Sequence, residues 1–102
     1  LRKHRSLTYN KAELAYWLGP EYRGKGILTE AGTRVLGFAF NNMDLNKIYV
    51  GHHAGNEGSK KLIERLKFRF SHIEREAFKK NNEWIDVYYY EMLKKEYELI
   101  NN

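Results

Sequence analysis

A chain of 102 residues supports one domain with a modest core, and its lack of cysteine excludes a disulfide framework, a thiolate nucleophile and a zinc-thiolate site. Its formal net charge of +5 suits an anionic ligand but decides nothing alone, since nucleic-acid contact or plain solubility would be served equally. No apolar run is long enough to span a bilayer and no signal-peptide pattern opens the chain, so a cytoplasmic location without a membrane partner is expected.

Residues 1–6 hold Arg2, Lys3, His4 and Arg5 and read as a basic loop. Residues 11–18 alternate, with Ala12, Leu14, Tyr16 and Leu18 on one face and Glu13, Ala15 and Trp17 on the other, which predicts a strand that Pro20 ends. A basic, glycine-rich turn follows. Gly24 and Gly26 let the backbone approach a ligand closely, the next helix aims its free N–H groups at the same point, and Arg23 and Lys25 add full charges. That combination is a phosphate cradle. Its spacing matches neither the Gly-x-Gly-x-x-Gly of dinucleotide sites nor the lysine-bearing loop of nucleoside triphosphate sites.

Leu28, Ala31, Val35, Phe38 and Ala39 recur at helical spacing from about Gly26 to Asn41, with Gly32 and Gly37 allowing close packing on a sheet. Residues 47–53 form a β-branched and aromatic run, so strand, helix and strand imply a parallel pair with a right-handed crossover. Asn56 suits an N-cap, and Ser59, Leu62, Ile63 and Leu66 share a face of the helix behind it. Residues 68–78 and 84–93 read as a hairpin joined by 79–83, where Asn81 and Asn82 tolerate the left-handed backbone of a turn. The charged tail after Leu93 carries no assignment.

Three segments resemble one family. Arg23-Gly24-Lys25-Gly26-Ile27-Leu28 is similar to the Gln/Arg-x-x-Gly-x-Gly/Ala acetyl-CoA signature of the GNAT superfamily, with Leu28 where the pattern has Gly or Ala. Asn56 to Phe68 resembles the Asn-x-x-Ser helix ending in Leu-Gly-Phe of the Rim-type branch, which acetylates ribosomal-protein N-termini, with Lys67 in place of the glycine. Arg75-Glu76-Ala77 followed by Trp84 to Tyr90 looks like that branch's closing hairpin. The likeness runs from about residue 8 to residue 97.

The resemblance implies an α/β fold with a GNAT-like mixed sheet in β-α-β-α-β-β order. It reads residues 1–102 as a single partial domain, the C-terminal half, lacking the N-terminal strands and helices of a full one. On that reading the strand at 11–18 finds no partner in this chain for its other edge, and self-association is expected. The implied activity is acetyl transfer from acetyl-CoA to a primary amine, a peptide N-terminus or alternatively a small amine such as a polyamine, amino sugar or antibiotic. Rivals are an inactive remnant and a basic nucleic-acid-binding fragment, the latter resting only on charge and aromatics.

By the same resemblance the cofactor lies against the backbone of Tyr16, Trp17 and Leu18, the row from Arg23 through Gly24, Lys25, Gly26 and Ile27 to Leu28, and the side chains of Asn56 and Ser59. Ser59 is the candidate proton donor to the departing thiolate, although an N-cap and a first-turn serine also explain Asn56 and Ser59 without any ligand. The tyrosine used by many relatives one turn later is Ile63 here, which leaves Ser59 or one of Tyr88, Tyr89 and Tyr90. Glu13 and Glu76 are the candidate bases, each equally readable as a solvated strand carboxylate. Rim-type enzymes place an acid two positions after Glu76, where this chain has Phe78. His52 and His53 point to opposite faces of a strand and lack carboxylate or cysteine partners, so no metal is expected.

Overall fold

A computed structural model describes residues 2–3, 11–14 and 26–101. Strand β1 (Arg2–Lys3) and strand β2 (Lys11–Glu13) precede helix α1 (Gly26–Asn41), strand β3 (Lys47–His53) and helix α2 (Glu57–Arg65). Strand β4 (Arg69–Lys80), strand β5 (Glu83–Leu93) and helix α3 (Lys94–Ile100) complete the described chain. The expected β-α-β-α-β-β order is present, extended by β1 at one end and α3 at the other.

The described strands form one mixed sheet in the order β1-β2-β3-β5-β4. β2 and β3 run parallel, with Ala12 opposite Ile48 and Glu13 opposite Tyr49, while β1–β2, β3–β5 and β4–β5 are antiparallel. Two expectations are corrected here. Arg2 and Lys3 are strand rather than loop, and they occupy the edge of β2 expected to be unpaired, Arg2 facing Glu13 and Lys3 facing Ala12. An open strand edge offers N–H and C=O groups to any extended segment that can reach it, and basic side chains do not prevent backbone pairing.

Helices α1 and α2 cover a single face of the sheet. Leu36, Ala39 and Phe40 of α1 meet Ile63 of α2 and Leu66 over Ile48, Val50, Tyr90 and Met92, and these side chains make up most of the core. Phe40, Ile48, Val50, Ile63 and Met92 are almost fully enclosed. Each side chain of that kind contributes about 1.5–3 kcal/mol by leaving water. The apolar stripe of α1 differs from the one expected. Gly32, Leu36, Ala39 and Phe40 face inward, whereas Phe38 is 57% exposed, because two residues along a helix is a turn of about 200° from Leu36. The helix glycines serve neighbouring helices rather than the sheet: a Cβ on Gly32 would lie 2.9 Å from a Leu66 methyl, and one on Gly37 would lie 3.1 Å from the Tyr97 hydroxyl.

The hairpin is tighter than expected. β4 reaches Lys80 and β5 starts at Glu83, so Asn81 and Asn82 alone make the turn, at φ of 51° and 65°. Two consecutive left-handed residues match the right-handed twist of a two-residue hairpin loop. The tail is helical because Tyr97 stacks on Phe40 with centroids 4.9 Å apart and the Glu96 carboxylate accepts the Leu93 N–H at 2.9 Å. Among the described residues no helix is long and apolar enough to cross a membrane.

Candidate active site

Parallel strands followed by helices send both helix N-termini to the carboxyl edge of the sheet, and here β2 leads to α1 as β3 leads to α2. The first turn of α1 includes the backbone of Gly26, Ile27 and Leu28 and carries no acidic residue of its own, and a helix start has N–H groups without intrahelical acceptors and a positive dipole end. Tyr16, Trp17, Leu18, Arg23, Gly24 and Lys25 lie outside the described residues.

At the head of α2, the Asn56 side chain accepts the Ser59 N–H at 3.1 Å and caps the helix. The Ser59 side chain is buried, with only 8% of the residue exposed, and its hydroxyl makes no hydrogen bond to another described residue. A buried hydroxyl without a protein partner is the kind of group a ligand satisfies.

The placement of Ser59 is traceable to the far strand. His52 is 5% exposed, and its Nδ1 lies 2.9 Å from the His53 carbonyl. A carbonyl can only accept, so Nδ1 carries the proton and Nε2 accepts from the Tyr90 hydroxyl at 3.2 Å. The same His53 carbonyl accepts the Asn56 N–H at 3.0 Å. Tyr90, His52, Asn56 and Ser59 are therefore linked by one continuous set of hydrogen bonds from β5 to α2. Tyr88 stacks on the His52 ring, centroids 5.4 Å apart and planes within 9°.

The tyrosine run divides across the sheet. Tyr88 and Tyr90 pair with His52 and Val50 and share the helix-covered face, while Tyr89 pairs with Gly51 and faces the other way. With the Tyr90 hydroxyl engaged by His52, Tyr88 is the member of the run on the face of Ser59 whose hydroxyl has no described partner. Burial raises the Tyr90 phenol above its ordinary value, with Glu64 adding to the effect, Lys60 opposing it, and Tyr88 and Glu57 adding smaller contributions.

Glu13 and Glu76 are not brought together. Glu13 is half-buried on β2 and faces away from the helices, alongside Tyr49, whereas Glu76 lies two strands beyond β3 on β4. There the ladder shifts between Glu74 and Phe78, Glu76 adopts φ of 49°, and its N–H is held by the Asp86 carboxylate at 2.7 Å. His53 leaves the face of His52 as expected and packs on Phe78 with centroids 4.8 Å apart. No group of three or more metal-ligating side chains is gathered among the described residues.

Alternation alone assigns His52 to the buried face with Ile48 and Val50, so its burial was legible. Its bond to Tyr90, 38 residues away, was not, because only the β3–β5 register aligns the two.

Comparison with known proteins agrees with this architecture. The family described as "Acetyltransferase (GNAT) domain" matches residues 2–69. "Putative ribosomal N-acetyltransferase YdaF" of Bacillus subtilis is 36% identical over 88 residues, covering 86% of this chain and 48% of that protein. The spermidine/spermine N-acetyltransferase SpeG of Vibrio cholerae superposes with a TM-score of 0.83 at 26% identity, over 94% of this chain and 56% of its own. A GNAT-family acetyltransferase of Bacillus anthracis does so at 0.78 and 27% identity, over 90% and 55%. The chain spans about half the length of the curated relatives it matches. With two-thirds of its residues inside the family match and the same mixed sheet beneath them, the chain belongs to the GNAT family of N-acetyltransferases.

Proposed function

We propose that this chain supplies the acyl-donor side of an acetyl-CoA-dependent N-acetyltransferase acting on a primary amine. The observation that carries the reading is that β2 and β3 run parallel and each is followed by a helix, with the Ser59 hydroxyl, which has no partner among the described residues, buried in the first turn of the second. A pyrophosphate is anionic and suits the first turn of α1, to which Arg23, Gly24 and Lys25 lead. Asn56 would hold the pantetheine arm, with the Ser59 hydroxyl beside its sulfur, and the backbone of Tyr16, Trp17 and Leu18 would pair with it. Bound there, acetyl-CoA supplies a thioester carbonyl for an amine to attack.

The chain's own residues divide the proton work between the two faces of the sheet. Ser59, on the helix-covered face, donates to the departing sulfur, while Glu13, on the opposite face, takes the amine's proton through a water. Similarity to the Bacillus subtilis protein favours a peptide N-terminal amine, whose ordinary pKa is ~2–3 units below that of lysine and which needs less help from a base. Likeness to the spermidine enzyme supports a small polyamine as the alternative.

Calorimetry with acetyl-CoA tests the reading. Gly26→Val is expected to weaken binding at least about tenfold by obstructing the backbone approach. Ser59→Ala is expected to keep the affinity but lower amine acetylation by roughly ten- to a thousandfold, the range general acid catalysis supplies. Undiminished binding by Gly26→Val would overturn the pyrophosphate assignment, and an undiminished rate for Ser59→Ala would pass the acid role to Tyr88 or water.

A further inference from the structure

The turn that carries β3 into α2 has little packed on it. His53, Ala54 and Gly55 are exposed, Gly55 stands at φ of 87°, and a Cβ built there would meet no atom beyond its chain neighbours within 4 Å. Burial does not fix such a turn, so its direction depends on hydrogen bonds. They converge on one peptide group. The His53 carbonyl accepts the His52 Nδ1–H at 2.9 Å and the Asn56 N–H at 3.0 Å, while the Ala54 N–H of the same peptide donates to the Asp86 carbonyl at 2.9 Å.

Of these three bonds only the first comes from a side chain, and that side chain is held in place. The His52 imidazole stacks on both Tyr88 and Tyr90, with centroids 5.4 and 5.5 Å away and planes tilted by 9° and 30°, and its Nε2 accepts the Tyr90 hydroxyl at 3.2 Å. Turning the ring would leave a buried nitrogen and a buried hydroxyl unpaired, which costs more than the bonds themselves contribute. The two partners also agree on one tautomer, because the carbonyl demands a donor and the hydroxyl can fill the other nitrogen.

We propose that His52 is a positioning residue for the acyl-donor site: its Nδ1–H orients the His53–Ala54 peptide, that peptide holds the Asn56 backbone, and the Asn56 side chain sets the first turn of α2 through the Ser59 N–H. The role rests on the acetyl-transfer reading above, in which Asn56 holds the pantetheine arm with Ser59 beside its sulfur. Tyr90 acts one bond further out. By occupying Nε2 it keeps the proton on Nδ1, where the turn needs it.

The two ring nitrogens can be replaced one at a time. An asparagine amide reaches about where Nδ1 stands and can donate to the His53 carbonyl, whereas a glutamine amide reaches about where Nε2 stands and can accept from Tyr90. Both lose the ring stacking, so urea denaturation is expected to show comparable losses of stability in His52→Asn and His52→Gln. The site is expected to tell them apart. In the 102-residue chain, His52→Gln is expected to speed hydrogen exchange at the Ser59 amide, relative to the Ile63 amide of the same helix, and to weaken coenzyme A binding, each by about two- to tenfold, the range of one neutral hydrogen bond. His52→Asn is expected to match the unmodified chain in both readouts. Losses that follow stability alike in the two variants, or no loss in His52→Gln, would overturn the role. Imidazole nitrogen shifts measured by NMR on the unmodified chain do not depend on either variant folding: a proton on Nδ1 supports the role, and a proton on Nε2 alone would overturn it. A chain that takes up no coenzyme A yet keeps the Ser59 contrast between the variants would support the placement of His52 and overturn the acyl-donor reading, whereas coenzyme A bound equally by both variants would overturn the role of His52 alone.

Discussion

Tyr90 is placed by its hydroxyl as well as by its ring, because the O–H donates to a nitrogen of His52, a residue only 5% exposed. Tyr90→Phe keeps the ring and strands the His52 Nε2 acceptor, so a loss of about 1–3 kcal/mol in unfolding free energy is expected from urea titration. The same phenol titrates with folding. Its folded-state pKa is raised above the ordinary 10.0, so the unfolded chain ionises first. The contribution is therefore fully present below pH 10 and lost as pH rises from there through the folded value. Urea midpoints measured across that alkaline window are expected to fall less steeply in Tyr90→Phe than in the unmodified chain, with Tyr89 accounting for part of the remaining slope. Identical slopes would mean that Tyr90 ionises alike in both states.

Helix α2 ends in a Schellman turn, with the Phe68 N–H reaching the Ile63 carbonyl at 3.3 Å and the Lys67 N–H reaching Glu64 at 3.0 Å. Lys67 occupies the left-handed position of that turn at φ of 72°. This is the position at which the resembling family pattern has glycine, and the geometry explains the pattern: only glycine adopts that conformation without crowding its Cβ. Lys67→Gly is expected to raise the unfolding free energy by about 1 kcal/mol, measured by urea denaturation, although the substitution removes a side chain and adds no contact. A loss of stability instead would show that the lysine stem packs usefully on the helix end. The Asn81-Asn82 turn meets the same steric demand with a different residue, since asparagine enters the left-handed region more readily than lysine.

On the molecular scale the helices cover one face of the sheet, while β4 forms an edge whose outer side pairs with no described strand. Near that edge Phe70, Ile73 and Trp84 are about half exposed, at 50%, 42% and 58%. Unpaired backbone beside apolar side chains is a template for a second copy. Light scattering on the 102-residue chain is expected to show an average mass that rises with concentration above the 12.2 kDa monomer, and Ile73→Lys with Trp84→Lys is expected to lower it toward that value. A constant monomer mass at all concentrations would show that the edge is protected by its own twist and bulges. Two register shifts in β4, at Phe70/His72 and Glu74/Phe78, are the features that would do so.

The order of elements from β2 to β5, the parallel pair, the Asn56 cap and the opposite faces of His52 and His53 were all legible in the chain, because each follows from local period, capping chemistry or turn composition. Glycine spacing and the two downstream motifs were equally local, which is why the family could be named from them. What depended on tertiary structure were pairings between residues distant in sequence. Arg2 and Lys3 became strand because β2 offered an edge, Phe38 yielded the interior to Phe40 because α2 and α3 fixed the rotation of α1, and the tail became helix because Tyr97 had a ring to stack on. The three tyrosines look equivalent in sequence. Register against β3 alone separates Tyr90, bonded to His52, from Tyr89, which lies over Gly51 on the opposite face, since a one-residue step along a strand reverses the side on which a side chain stands.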